Sequence, residues 1–450
     1  MIRRIRWAAA VLSAALLLCS CNVGKSANDL LSPPRLTAEQ SAIYDALESA
    51  IGTDTFKLKY PRRGEFLSAC ILQDIDNDGT EEALVFYERS DGGSTATWMS
   101  VLVQTNGVWR SAYELPGDGS EIDLVSFKRV VGQDSDNIIV GWSTAGQENN
   151  YCIIYSFTGS RLEKLNKPTE HFTYSEMMVA DVDSNGLDEL ILCTKNSASN
   201  AVMRLVQYRS GRIVRTSEVR MPTGMTGYQQ LRFGPLTPGL NAIFADLMLG
   251  GKLMTTKIAV VEQSGITTTI TELTEEELGI YESFDRPVPT LNCDDVNGDG
   301  FVDIPVSSPL PGYEGSSEGD KLYLTEYKSI LEGSLTTVQR SVVNYAEGYQ
   351  VKIPDGWADG AVTVRRQPDT GEWRFVRYNG SLTESTTELL RIKVVSPSVY
   401  QDKFETAVYR TLATKGVNEY MAHIPSEQYP GFSITENQLS EMFSLLKGVQ

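Results

Sequence analysis

Four glycines, Gly107, Gly159, Gly211 and Gly265, stand 52, 52 and 54 residues apart, each between two strand-like stretches. The stretches are "WMSVLVQTNGVWRSAYEL", "YCIIYSFTGSRLEKL", "VMRLVQYRSGRIVRTSEV" and "KIAVVEQSGITTTITEL". Alternating β-branched or aromatic and polar residues mark half-buried strands, and N-G, T-G or S-G between them marks a tight hairpin turn. A period of this length confines the chain to one supersecondary unit copied several times, each copy burying the apolar faces of its neighbours.

A second periodic signal runs in step with the first. "DIDNDGTEE" at 74–82, "DVDSNGLDE" at 181–189 and "DVNGDGFVD" at 295–303 carry acids or amides at positions one, three and five, glycine at six and an acid at nine. Weaker echoes occur at 132–142, "GQDSDNIIVGW", and 234–244, "GPLTPGLNAIF", where acids are partly or wholly lost. Each unit therefore reads strand, acidic loop, strand, strand, turn, strand. A degenerate fifth hairpin reads from "LYLTEYKSILEGSLTTVQRSVV". The expected fold is an all-β propeller of about five four-stranded repeats, with a solenoid or open sandwich array as the competing architecture.

Over about residues 66–343 these loops resemble the FG-GAP and VCBS repeats of integrin-type propellers and bacterial surface proteins. The resemblance implies calcium as the loop ligand, and the residue chemistry agrees. Calcium takes six to eight oxygens at about 2.4 Å, and a tight loop turns alternate side chains inward. The candidate ligands are Asp74, Asp76, Asp78 and Glu82 with a backbone carbonyl near Thr80; Asp181, Asp183, Asn185 and Glu189; and Asp295, Asn297, Asp299 and Asp303. An EF-hand needs a bidentate glutamate at position twelve between helices, but Val85, Leu192 and Val306 stand there between strand-like flanks. Such an ion is expected to be structural, neutralising crowded carboxylates. "FKLKYP" at 56–61 is expected to supply an outer strand that closes the ring.

The chain starts "MIRRIRWAAAVLSAALLLCSC", three arginines and then an apolar run too short to span a bilayer. Its end, "LCSC", resembles a bacterial lipobox, which implies cleavage before Cys21 and lipidation of that residue. The expected parts are a signal peptide 1–20, a tether 21–35, an N-terminal helix 36–52 with a Thr37/Gln40 capping box, a propeller 53–343 and a small α+β domain 344–450. In the last, "YQVKIP", "AVTVRRQ", "EWRFVRYNG", "LLRIKVVS" and "VNEYMAHIP" read as strands. "PSVYQDKFETAVYRTLATKG" and "TENQLSEMFSLLKG" read as helices, the second capped by Thr435. Cys70, Cys152, Cys193 and Cys293 are isolated on apolar stretches and read as buried free thiols rather than a disulfide framework.

The net charge of −18 disfavours a nucleic-acid partner. Toward hydrolytic chemistry the chain offers two histidines, His171 and His423, one G-x-S-x-G match, "GSSEG" at 315–319, and many acids from which a glycosidase pair could be drawn. That match lies in a Pro/Gly-rich loop instead of a strand-to-helix elbow, so Ser317 is not read as a nucleophile and the chain is not read as an enzyme. In order of parts the chain resembles FG-GAP/VCBS-type lipoproteins of Gram-positive bacteria. The expectation is a calcium-binding repeat protein anchored by its lipid on the extracytoplasmic face of the cell membrane. There it would bind or scaffold a protein or glycan; the alternative is a carbohydrate-active enzyme or lectin-like module.

Overall fold

The computed structural model describes residues 37–446 apart from 53–55, 92–93, 133–134, 160, 167–171, 196–199, 265–266, 275–283, 288–289, 332–333, 358–360, 368–369 and 397–408. The segments expected to be signal peptide and tether, with Cys21, and His171 therefore lie outside the described residues. The fold is mostly β, and the described residues form six antiparallel sheets. These residues divide into two compact units: 37–59 with 68–74 and 80–116, and segments 60–67 and 75–79 with 117–446.

The smaller unit holds the helix Ala38–Ile51 and the first sheet. Thr37 accepts the Gln40 N–H while the Gln40 side chain accepts the Thr37 N–H, closing the expected capping box. Gly52, at φ 86°, ends the helix. Ile43 and Leu47, one turn apart, are wholly buried against Val85, Tyr87, Leu102 and Trp109 of the sheet. Each such burial contributes about 1.5–3 kcal/mol. Strands Glu82–Asp91, Ser94–Thr105 and Val108–Pro116 form a meander.

The open edge of Glu82–Asp91 is covered by two short strands laid end to end. Cys70–Gln73 pairs with residues 82–85, and Phe56–Lys59 pairs with 86–89. "FKLKYP" is thus no ring-closing outer strand; it completes the first strand of its own sheet. It stops at Lys59 because Pro61 cannot donate to a ladder.

In the larger unit the second (121–174), third (176–220), fourth (225–287) and fifth sheets succeed one another along the chain. Each buries both faces. In Glu189–Cys193, Leu190 and Leu192 share a core with Ile139, Cys152 and Ile154 of the second sheet. Their neighbours Ile191 and Cys193 share another with Ile243, Ala245 and Ala259 of the fourth. Ala242, Phe244, Ile258 and Val260 in turn meet Ile304 and Ile330 of the fifth. Side chains alternate across a strand, so burial on both faces demands the unbroken apolar run "ELILC". Arg63 ties two of these sheets: its guanidinium holds Asp123 at 3.0 Å and Glu176 at 2.7 Å.

The C-terminal region departs from expectation in three places. The fifth sheet runs on past residue 344: Tyr349–Lys352 pairs with Ser334–Asn344, and Phe443–Leu445 pairs with Tyr349–Lys352. Arg410–Lys415, read as helical, is a strand paired with Asn418–His423 in the sixth sheet. The last helix is only Glu436–Met442, because Phe443 turns extended to join the fifth sheet. The other sixth-sheet strands, Val362–Arg366, Trp373–Arg377 and Glu388–Val395, fall where the alternation places them.

Candidate metal centre

The stretches at 74–82, 132–142, 181–189 and 234–244 each join two strands of one sheet, whereas 295–303 precedes the fifth sheet's first strand, Ile304–Pro309, and is spanned by a lone bridge between Asp294 and Asp303. Gly107, Gly159 and Gly211 lie in the turns of later hairpins in their sheets. Gly265 itself lies outside the described residues, although the strands flanking it pair as a hairpin. Asn106 and Gly107, at φ 54° and 78°, and Ser210 and Gly211, at 51° and 81°, form consecutive left-handed turn pairs. That is the backbone a two-residue hairpin requires.

The three acidic loops share one backbone path. Their fourth residues, Asn77, Ser184 and Gly298, have φ of 59°, 58° and 78°, and their sixth, Gly79, Gly186 and Gly300, have 89°, 87° and 89°. The later two loops also share hydrogen bonds. Asp181 accepts from the N–H of Asn185 and of Gly186 at 3.1 and 2.9 Å, and Asp295 accepts from Asp299 and Gly300 at 3.2 and 2.9 Å. The fifth side chain accepts from the seventh N–H: Leu187 to Asn185 at 2.8 Å, Phe301 to Asp299 at 2.9 Å. The ninth carboxylate accepts from the second N–H: Val182 to Glu189 and Val296 to Asp303, both at 3.0 Å.

Carboxylate oxygens of Asp74, Asp76 and Asp78, and of Asp181, Asp183 and Glu189, lie within 4.8 Å of one another. The third loop does not gather three acids so closely, because Asn297 holds its third position and donates its amide to Asp299 at 2.8 Å. Thr80 lies between Gly79 and the start of the strand at Glu82.

The ninth acids Glu82, Glu189 and Asp303 are 3%, 2% and 0% exposed, so each is a buried anchor as well as a candidate ligand. Burial, with Asp183 and Asp181 nearby, pushes Glu189 up to about 7. Burial likewise raises Asp303, which the Ser329 hydroxyl contacts. An ionised carboxylate has about four lone-pair sites, and the N–H bonds above leave several open. The donors are all oxygen, a hard set that suits calcium or magnesium and not zinc or copper.

Sequence spacing did not reveal what holds these loops from outside. Asp183 accepts from Thr268 at 2.5 Å and from Gln207 at 3.4 Å, and its carbonyl accepts from Gln263. Thr268 and Gln263 belong to the fourth-sheet hairpin, one sheet further on. Correspondingly, a Cβ added at Gly159, in the second-sheet hairpin, would stand 2.6 Å from Asp76 Oδ2. Acidic loop and next hairpin thus meet twice in the same way.

Cys70, Cys152, Cys193 and Cys293 are buried free thiols. Val85, Leu192 and Val306 lie on strands, so the loops are not EF-hands. Ser317 donates to Asp320 at 2.6 Å within its loop, and the His423 ring packs 5.9 Å from Tyr409. No protein-family model matches the chain, and a search of curated proteins finds no relative of it.

Proposed function

We propose that the chain is a lipid-anchored, extracytoplasmic repeat protein whose successive sheets close as a β-propeller and whose acidic loops hold calcium. It would serve as a binding or scaffolding module for a protein or glycan at the membrane surface. The observation that carries the calcium reading is the common backbone of the three loops, each leading directly into a strand, with two of them gathering three carboxylates. Asp74, Asp76, Asp78 and Glu82, then Asp181, Asp183, Asn185 and Glu189, and less completely Asp295, Asn297, Asp299 and Asp303 would hold the ion. Bound calcium would supply positive charge to carboxylates that otherwise repel by about 1–4 kcal/mol per close pair at effective dielectrics of 80 to 20. The protein's part is positional: backbone N–H groups aim the oxygens, and the next hairpin fixes the third-position acid.

The propeller reading rests on five successive sheets of sequentially paired antiparallel strands, four of which in the larger unit share cores face to face. Thermal denaturation with calcium and with chelator tests the metal reading. Calcium at a hundredfold excess over its dissociation constant stabilises by about 2.7 kcal/mol per site. The chelator-induced fall in Tm should shrink in a variant carrying Asp78→Ala, Asn185→Ala and Asp299→Ala together. An unchanged fall would reduce the loops to solvated acidic turns.

A further inference from the structure

A cleft of about 530 Å³, within the range of small-molecule sites, is lined by the fifth and sixth sheets and the loop 310–322. Four charged side chains line it, and two of them answer each other. Lys321 pairs with Glu318, which also accepts the Tyr323 hydroxyl at 2.9 Å. The other two, Arg366 and Glu347, are exposed and make no ion pair with each other or with any other described residue.

The Arg366 side chain and the Glu347 backbone are anchored by neighbours that do not neutralise either charge. The Arg366 guanidinium lies over the Trp373 ring at 5.7 Å, which leaves its N–H edge free for a planar anion. Glu347 sits in a tight turn: its N–H donates to Asn344 Oδ1 at 3.1 Å, and its carbonyl accepts the Tyr420 hydroxyl at 2.8 Å. A lone anion would satisfy Arg366 only, and a lone cation Glu347 only.

We propose that this cleft binds a small zwitterion, an amino acid or short peptide, with its carboxylate on Arg366 and its ammonium on Glu347. Leu322, Val343 and Trp373 are the apolar side chains among the lining residues that would face the ligand's carbon frame. The inference is independent of the calcium loops, and none of the residues it uses belongs to them.

The test is calorimetric titration of the full-length protein with a panel of L-amino acids and dipeptides, each also in N-acetylated and C-amidated form. At least one free member should bind, and blocking either end should weaken it about tenfold or more, the worth of one charge-assisted hydrogen bond. Arg366→Gln should erase the preference for the free over the amidated form, and Glu347→Gln that for the free over the acetylated form. Both substitutions are on exposed side chains, and an unchanged Tm checks that the fold is kept. Absence of binding across the panel at millimolar concentration would overturn the proposal. So would blocked ligands that bind as well as free ones, or variants that retain both preferences.

Discussion

At the scale of single residues, the most heavily constrained charge is Arg286. It and Asp246 are each 1% exposed, and their ion pair measures 2.6 Å. The guanidinium also donates to Thr256 and to the carbonyls of Phe284 and Leu291, and Asp246 accepts the Cys293 N–H. Breaking a buried pair costs more than the pair contributes, because the surviving charge stays desolvated. Arg286→Met should lower stability by about 3–5 kcal/mol, read from urea midpoints, and a loss under about 1 kcal/mol would contradict the account. Glu372 is the second case. Burial alone raises its carboxyl, but the Tyr409 hydroxyl at 2.5 Å, Arg374 at 3.1 Å and Arg391 outweigh it and hold the group below the usual range. A depressed folded pKa stabilises above the unfolded value of about 4.3, and that gain disappears as pH falls through the folded pKa. The stability difference between wild type and Glu372→Gln should therefore be fully present at neutral pH and shrink on acidification. A difference that stayed constant down to about pH 3 would place its origin in packing instead.

At the scale of elements, turn chemistry sets registers and tertiary pairing sets ends. Gly211 has φ 81°, next to Ser210 at 51°, and nothing lies within 4 Å of where its Cβ would be. Gly211→Ala is thus a test of backbone strain free of steric clash. It should cost about 1 kcal/mol, measured as a midpoint shift with unchanged slope; a neutral result would show the turn relaxing to another type. Element ends follow a different rule. The apolar stripe of "TENQLSEMFSLLKG" continues past Met442, yet Phe443 leaves the helix at φ −95° and ψ 133° to pair with Val351. A helix stripe and a strand alternation overlap over so few residues, and only the partner, some ninety positions upstream, decides between them.

At the scale of the whole molecule, the proposed ring makes a distance prediction. Sheets packed face to face lie about 10 Å apart, so a linear stack would put the first and fifth sheets about four intervals apart. A ring makes them neighbours. Spin labels on cysteines placed at the exposed hairpin residues Asn106, Ser264 and Ser334 would report this, since the described native thiols are buried. The Asn106–Ser334 separation should match the Ser264–Ser334 separation in a ring. A several-fold greater separation would establish the open stack.

The repeat was legible in the sequence because it is written in local terms. A hairpin glycine, a left-handed turn pair and a carboxylate one residue from the next are all set by neighbours along the chain. The capping box at Thr37 and Gln40, the strand character of "ELILC", the absence of an EF-hand and the buried state of the cysteines follow from the same short-range logic. What the sequence could not decide depends on long-range partners. Nothing in "YPRRGE" announces that Arg63 will join Asp123 to Glu176, 60 and 113 residues away. The spacing of "DVDSNGLDE" does not show that Thr268 and Gln263 will grip Asp183, or that its ninth acid will be buried. "FKLKYP" and "RTLATK" have strand or helix character too weak to choose a partner, and each took its form from the sheet edge that tertiary packing left open to it. Local propensities differ by about 1 kcal/mol, whereas a strand docked on an open edge gains a ladder of hydrogen bonds and a buried face. Where the two compete, packing decides.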